Sequence, residues 1–298
     1  MKPLYTFFAS VACFFGGIVT IPAFAQIPVS TGLDLWIKAD AGVTTSGSQV
    51  SAWADQSVNG HNGSQMSGFN QPLLVPNALN GHPVVRFNGT SNFLSLAGQV
   101  MTSNQQFTIM GVFTDTRNPS DTSFRDTFSN WDPGNQTTSV FIGTVNKNPT
   151  RVRFTDDVGG LSDTVHNQTG VGNLFNPTTP FILTGISTAS DAFVYQNSVL
   201  MASKGSAISV RNLTTGYVIG RQGTFSGEYW NGDIAELFVY DRALSSSEFQ
   251  QNVSYLNTKY ALASTPEPNS IVLLAGLGAS GFLFATRRRK GIANKSGL

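Results

Sequence analysis

The sequence predicts an all-β protein, an antiparallel sandwich built as one body of about 240 residues. Three observations predict it. Short runs of alternating apolar and polar residues recur along the chain, separated by Gly, Asn, Asp, Ser and Pro, each suited to turns for its own backbone reason. No helical segments alternate with these runs, which argues against a parallel sheet with crossover helices. Only 12% of residues are charged, against roughly 25% in an average soluble protein, while 30 Gly and 22 Phe are present. That composition excludes a charged helical bundle and a disordered chain, and the glycines lack the period of three that collagen requires.

The chain begins with a secretory signal. Lys2 supplies a positive start, an apolar stretch follows from Leu4 to about Phe24, and Ala23-Phe24-Ala25 forms a small-x-small cleavage site. Signal peptidase would leave Gln26 first. The one cysteine, Cys13, lies inside this segment. The exported body therefore has none, which excludes disulfides, thiolate catalysis and cysteine metal sites.

Strands are expected at Leu33–Lys38, Val84–Phe87, Phe93–Leu96, Phe107–Phe113, Ser139–Gly143, Arg151–Thr155, Phe181–Ser187, Ala192–Gln196, Val199–Ala202, Tyr217–Gly220 and Asp233–Tyr240. One helix follows. Ser245 caps it, with Glu248 as its capping-box partner. Phe249, Val253, Leu256 and Tyr260 make a single apolar stripe, expected to pack at the sandwich edge or near the chain's exit.

Beyond the helix, Thr265-Pro266-Glu267-Pro268 leads into an uncharged stretch, Ser270 to Thr286, and then Arg287-Arg288-Arg289-Lys290. As a helix that stretch would span about 25 Å, at the short end for a membrane crossing. Gly276, Gly278, Ser280 and Gly281 give it a small-residue face. The basic cluster marks the cytoplasmic side and places the body outside. The chain thus divides into a signal peptide (1–25), a body (26–263), a linker with Pro-Glu-Pro (264–269), a transmembrane helix (270–286) and a basic tail (287–298). The net charge of +1 divides accordingly. Residues 26–265 hold 12 Lys and Arg against 16 Asp and Glu, a net of −4, and five bases crowd the terminus. An acidic body with a basic terminus argues against a nucleic-acid-binding domain, which would carry an excess of bases on the fold.

Pro-Glu-Pro, a short glycine-containing apolar helix and an arginine cluster resemble the PEP-CTERM sorting signal, over Pro266 to about Lys290. The resemblance implies an exosortase, a membrane protease-transpeptidase, as partner. It implies a precursor anchored in the inner membrane, then a product at the envelope surface or in the matrix of a Gram-negative, exopolysaccharide-making bacterium. Within the signal, Pro266, Glu267, Pro268, Arg287, Arg288 and Arg289 carry the match, and the tail Gly291–Leu298 runs longer than is usual. The alternative is an ordinary single-span anchor.

Three stretches of the body carry a second resemblance: Leu33–Asp40 with Trp53–Asn62; Asn80–Gly89 with Asn92-Phe93-Leu94; and Gly220-Arg221 with Tyr229–Glu236 and Tyr240–Ser245. In this order they resemble the concanavalin A-like, laminin-G-like jelly rolls of bacterial secreted proteins. Val58 departs from the pattern, standing where the family often has Gly in a turn.

Candidate sites are few. Asp55, Ser57 and Asn59 form a rim for calcium or sugar if their segment is extended, because hard cations take carboxylate and carbonyl oxygens. Otherwise they are turn residues bonded to the backbone. Asp156 and Asp157, with Asp163 and Gly159-Gly160, make an acidic loop open to the same two readings. Trp230, Tyr229 and Trp131 are stacking platforms for sugar rings if exposed, and core if buried. Arg86 either pairs with a carboxylate or faces solvent. Asp233 and Glu236, three apart on a strand, should face opposite sides, too poorly placed for the carboxyl pair of a glycosidase. His61, His82 and His166 lack metal-site spacing, and no serine sits in a nucleophile elbow.

The function expected is that of an exported, non-catalytic, lectin-like protein contacting glycans or exopolysaccharide, with calcium as the cofactor left open. An adhesive protein with surface-protein partners is the alternative, and a glycoside hydrolase or lyase comes last.

Overall fold

The structure, a computed structural model, describes residues 27–101, 105–118, 121, 123–131, 140–147, 150–156, 179–208 and 216–262. Ala23, Ala25, Asp157, Pro266, Glu267, Pro268 and Arg287–Arg289 lie outside the described residues. Among those described, the strands are β1 (Leu33–Lys38), β2 (Val43–Ser46), β3 (Gln49–Trp53), β4 (Gly63–Ser64), β5 (Leu73–Leu79), β6 (His82–Asn88), β7 (Leu94–Leu96) and β8 (Phe107–Asp115). They continue as β9 (Arg125–Ser129), β10 (Val140–Lys147), β11 (Thr150–Asp156), β12 (Phe181–Ser187), β13 (Ala192–Gln196), β14 (Val199–Lys204), β15 (Val218–Ile219) and β16 (Asn231–Tyr240), before helix α1 (Ser246–Tyr260). The eleven expected strands are present; β2, β3, β4, β5 and β9 add to them. β5 hides its pattern behind Pro76 and the positive φ of Asn77, where its register with β6 shifts.

The hydrogen-bonded order is β11-β10-β9-β15-β7-β4-β3-β5-β6-β16-β8-β12-β13-β14, with β1 on β16 and β2 on β3. Neighbours are antiparallel. The sheet doubles back on itself, because one core joins residues from both ends of this order: Trp53, Leu94, Phe128, Ile142 and Ile219 with Phe87, Ile109, Leu183, Val194 and Leu237. This is the expected all-β sandwich.

Helix α1 lies at the chain's exit, one of the two positions expected for it, and not at the sandwich edge. It covers the outer face of the layer formed by β6, β16, β8 and β12. Phe249, Val253, Leu256 and Tyr260 bury there against Val84, Met110, Val112, Ile182 and Phe238. This explains why β8, β12 and β16 are buried along nearly their whole length. One face meets the other layer and the opposite face meets the helix, so polar alternation is lost. The Ser245 cap and its reciprocal Glu248 bond form as predicted, and Ala261 ends the helix in the left-handed region. Among the described residues no helix is long and apolar enough to cross a membrane.

β16 lies at the centre. It pairs with β8 along one side, and on the other with β6 over residues 231–234 and β1 over residues 236–240. A bulge between Ile234 and Glu236 accompanies the change of neighbour. Ile234, Leu237 and Val239 point into the sandwich, whereas Ala235, Phe238 and Tyr240 point toward α1. Glu236 also points toward α1, so the extra residue reverses the alternation. Asp233 and Glu236 therefore share the outer face, contrary to the expectation from an unbroken strand.

Candidate functional site

Asp55 is the centre of a backbone knot. Its Oδ1 accepts from the N–H of Trp36 (2.9 Å) and of Ser57 (2.8 Å). Its Oδ2 accepts from Ser57 Oγ (2.6 Å) and the N–H of His61 (3.0 Å). Asn59 Nδ2 reaches back to donate to the Asp34 carbonyl at 2.9 Å. Asp34 in turn accepts from the Met101 N–H at 2.8 Å, and its carboxylate lies 3.4 Å from His61 Nε2. The segment bends, so Asp55, Ser57 and Asn59 do not line up on one extended face. They tie β1 to the loop after β3, and four donors occupy the Asp55 carboxylate. Among the described residues no group of three or more His, Cys, Asp or Glu is placed to hold a metal ion. Asp156 ends β11, paired with Val140.

Trp230 is a correction. It is wholly buried in the sandwich core, edge-on to Phe113 at 6.0 Å, and offers no face to a sugar. Its neighbours on the loop remain at the surface, because the strand turns inward at Trp230 as its N–H bonds the Gly220 carbonyl.

The two acidic residues of β16 are also spoken for. Asp233 forms a bidentate pair with Arg86, Nε at 2.6 Å and Nη2 at 2.8 Å. That hydrogen bond, which outweighs desolvation, raises the Arg86 pKa. Glu236 is fully buried and accepts from Trp36 Nε1 (2.6 Å), Tyr255 OH (3.0 Å), Tyr260 OH (2.7 Å) and Lys259 Nζ (2.7 Å). Lys259 also contacts Asp40 at 3.0 Å. Burial, and then the adjacent Glu236 charge, push both tyrosine pKa values up, which keeps their hydroxyls as donors. This network fastens α1 to the sheet.

A different cluster has the shape of a binding surface. Arg125, at the start of β9, joins three loops: residues 89–92 after β6, the β8–β9 loop, and residues 220–230 between β15 and β16; the last of these also reaches Trp131, beyond the far end of β9. Arg125 Nη1 donates to the Gly89 carbonyl (2.7 Å) and the Tyr229 carbonyl (2.8 Å), and Nη2 pairs with Asp121. Burial of Asp121 opposes its ionisation, but the Ser123 backbone N–H and the Arg125 guanidinium outweigh it and hold the carboxyl at about 2.

On this frame, Trp131 and Phe225 meet edge-to-face at 5.1 Å, with Phe225 44% exposed. The approach is close: Thr224 N–H bonds the Trp131 carbonyl at 2.9 Å. Gly223 holds φ at +48°, and a Cβ there would stand 1.9 Å from that oxygen, so only glycine fits. Tyr229 OH lies 3.1 Å from Ser226 Oγ. Beside them the Arg221 guanidinium lies over the Phe93 ring at 3.6 Å, a cation–π stack. The result is a row of partly exposed aromatic side chains with hydroxyl, amide and guanidinium groups at its margin. Trp131 and Tyr229 were legible as candidates from their glycine and asparagine neighbours. Arg125, Arg221 and Phe225 were not, because what unites them is contact across distant loops.

No curated protein sequence matches the chain. Solved structures do, at identities that establish the fold alone. Trypanosoma rangeli sialidase is 17% identical with a TM-score of 0.51, the match covering 80% of this chain and 34% of that one. This chain thus spans about a third of the sialidase's length. Domain 4 of AbnA, a GH43 extracellular arabinanase from Geobacillus stearothermophilus in complex with arabinotriose, is 15% identical with a TM-score of 0.52, covering 75% and 97%. The botulinum neurotoxin type G receptor-binding domain is 14% identical at 0.51, covering 76% and 51%. Residues 264–290 match the PEP-CTERM protein-sorting motif. The chain is therefore a β-sandwich body carrying a PEP-CTERM sorting motif, which marks it as exported and implies processing by an exosortase-type protease at the cell envelope.

Proposed function

We propose that the exported body is a non-catalytic glycan-contacting module, acting in the exopolysaccharide-rich envelope of a Gram-negative bacterium. The observation that carries this reading is the row Trp131, Phe225 and Tyr229, fixed by backbone bonds beside the Arg221–Phe93 stack. Flat apolar faces with polar edges suit sugar rings, and prior fixation lowers the entropy lost on binding. The similar arabinanase domain was captured with a trisaccharide, which supports the reading by analogy of fold. The exported protein should be retarded in affinity electrophoresis through envelope polysaccharide, and Trp131→Ala and Phe225→Ala should each weaken retention by about tenfold, a loss of ~1.4 kcal/mol. Equal mobility of the parent protein with and without polysaccharide, in calcium and in chelator, defeats the proposal.

The sorting part has its own measurement. Glu267→Ala, or replacement of Arg287–Arg289, should leave unprocessed precursor in the membrane fraction. Normal processing in both variants defeats the exosortase reading.

A protein-binding, adhesive role is the second reading. Met66 (96% exposed) and Phe69 (81% exposed) stand three residues apart in one loop, an apolar pair suited to a protein partner. Loss of surface adhesion in Met66→Ser/Phe69→Ser, with polysaccharide retention unchanged, would favour it.

A further inference from the structure

The folded body ends close to the sorting motif. Leu262 is the last residue of the helix-ending turn, its N–H bonded to the Asn257 carbonyl, and its side chain packs against the cluster beneath α1. The exit is clamped. Asn80 Nδ2, in the β5–β6 turn, donates to the Tyr260 carbonyl at 2.6 Å, and the His82 ring lies edge-on to Tyr260 at 5.1 Å. Lys259 and Tyr260 are held from below by Glu236. Three residues, Ala263, Ser264 and Thr265, then separate Leu262 from Pro266. Even fully extended, those four steps reach only about 14 Å.

The body's first residues emerge on the same face. Ile27 and Val29 are buried in the cluster under α1, and Tyr240 OH donates to the Val29 carbonyl at 2.9 Å. A cleft of about 610 Å³ runs between Pro28 and the outward side of α1, where Gln250, Gln251, Ser254 and Thr258 line it. This side carries no free charge. Glu248 pairs with Arg242, and Lys259 is engaged by Glu236 and Asp40.

From this placement we propose that the outward face of α1 is a docking surface for the membrane-embedded sorting protease, which engages the folded body while it acts at Pro266–Pro268. A protease acting on a motif tethered to Leu262 by no more than about 14 Å of chain meets the helix that Leu262 follows. An anionic lipid surface would require exposed Lys or Arg, which this face lacks. A neutral row of amides and hydroxyls beside a cleft suits the loops of a protein partner.

The test follows processing of the full-length precursor in its host by pulse-chase and immunoblot. One variant inserts about twelve Gly and Ser residues after Ala263, which frees the motif from the body without altering either. The second is Gln251→Lys/Ser254→Lys, at exposed positions, where the bond at stake is the one from Gln251 Nε2 to the exposed Ser247 Oγ on the same helix. Each should slow conversion of precursor by about threefold or more, while the thermal melt of the exported protein stays unchanged. A wild-type or faster rate in the charge variant overturns the proposal, as does a wild-type or faster rate on insertion, which would make the body an indifferent neighbour or an obstacle.

Discussion

Lys259→Met tests the bond between α1 and the sheet. Glu236 is wholly buried, and the Lys259 ammonium, 6% exposed, is its one cationic hydrogen-bond partner among the described residues. Removing that ammonium leaves a buried carboxylate with three neutral donors, Trp36, Tyr255 and Tyr260. Breaking one partner of a buried pair costs about 3–5 kcal/mol, because the remaining charge is uncompensated. Asp40 adds little to the loss, since its side chain is 31% exposed and regains water. For a body of this size each kcal/mol lowers the melting temperature by about 2–4 °C, so a fall of roughly 6–20 °C is expected. Urea unfolding of the exported protein, read by tryptophan fluorescence, gives the free energy directly. Glu236→Gln/Lys259→Met removes both charges and should recover at least about 1 kcal/mol relative to the sum of the single changes. A Lys259→Met protein within about 0.5 kcal/mol of the parent, or strict additivity in the cycle, refutes the reasoning.

Two further predictions follow from local geometry. The Arg242 guanidinium, and then the Ser245 cap, hold the Glu248 carboxyl at about 2, below its ordinary 4.5. A depressed carboxyl stabilises the fold above its unfolded pKa, so this contribution is present above about pH 4.5 and is lost as the pH falls toward 2. Glu248→Gln should flatten the urea midpoint across that window, and an unaltered pH profile would remove Glu248 as its source. Gly223→Ala forces a Cβ into the Trp131 carbonyl at a positive φ, and should cost about 2–3 kcal/mol. It should also abolish polysaccharide retention, and a variant of parental stability and retention would show that the loop tolerates a side chain there.

The helix was legible because its cap, its capping-box partner and its apolar stripe lie within sixteen residues, Ser245 to Tyr260, and need no distant partner to be recognised. The strands that alternate were legible for the same reason. β9, Arg125-Asp126-Thr127-Phe128-Ser129, was not, because most of its buried residues are polar and its partners are β10 and β15. The Asp55 cluster was legible as a set of turn-forming residues, but its two readings differed only in where the carboxylate pointed, and that depends on Trp36 and His61.

By itself, then, the sequence determined the β class, the capped helix, the C-terminal sorting motif and the acidic, cysteine-free composition of the residues before it. These rest on periodicity, composition and short motifs, which are properties of neighbouring residues. Tertiary structure decided the rest. A bulge in β16 put Asp233 and Glu236 on one face, the turn of the chain at Gly220 buried Trp230 while leaving Tyr229 near the surface, and the loop of residues 220–230, held by Arg125 at one end, brought Phe225 against Trp131. The physical reason is common to all three. A side chain's exposure and electrostatic partner depend on which distant backbone covers it, and a single inserted residue reverses the face that periodicity assigns.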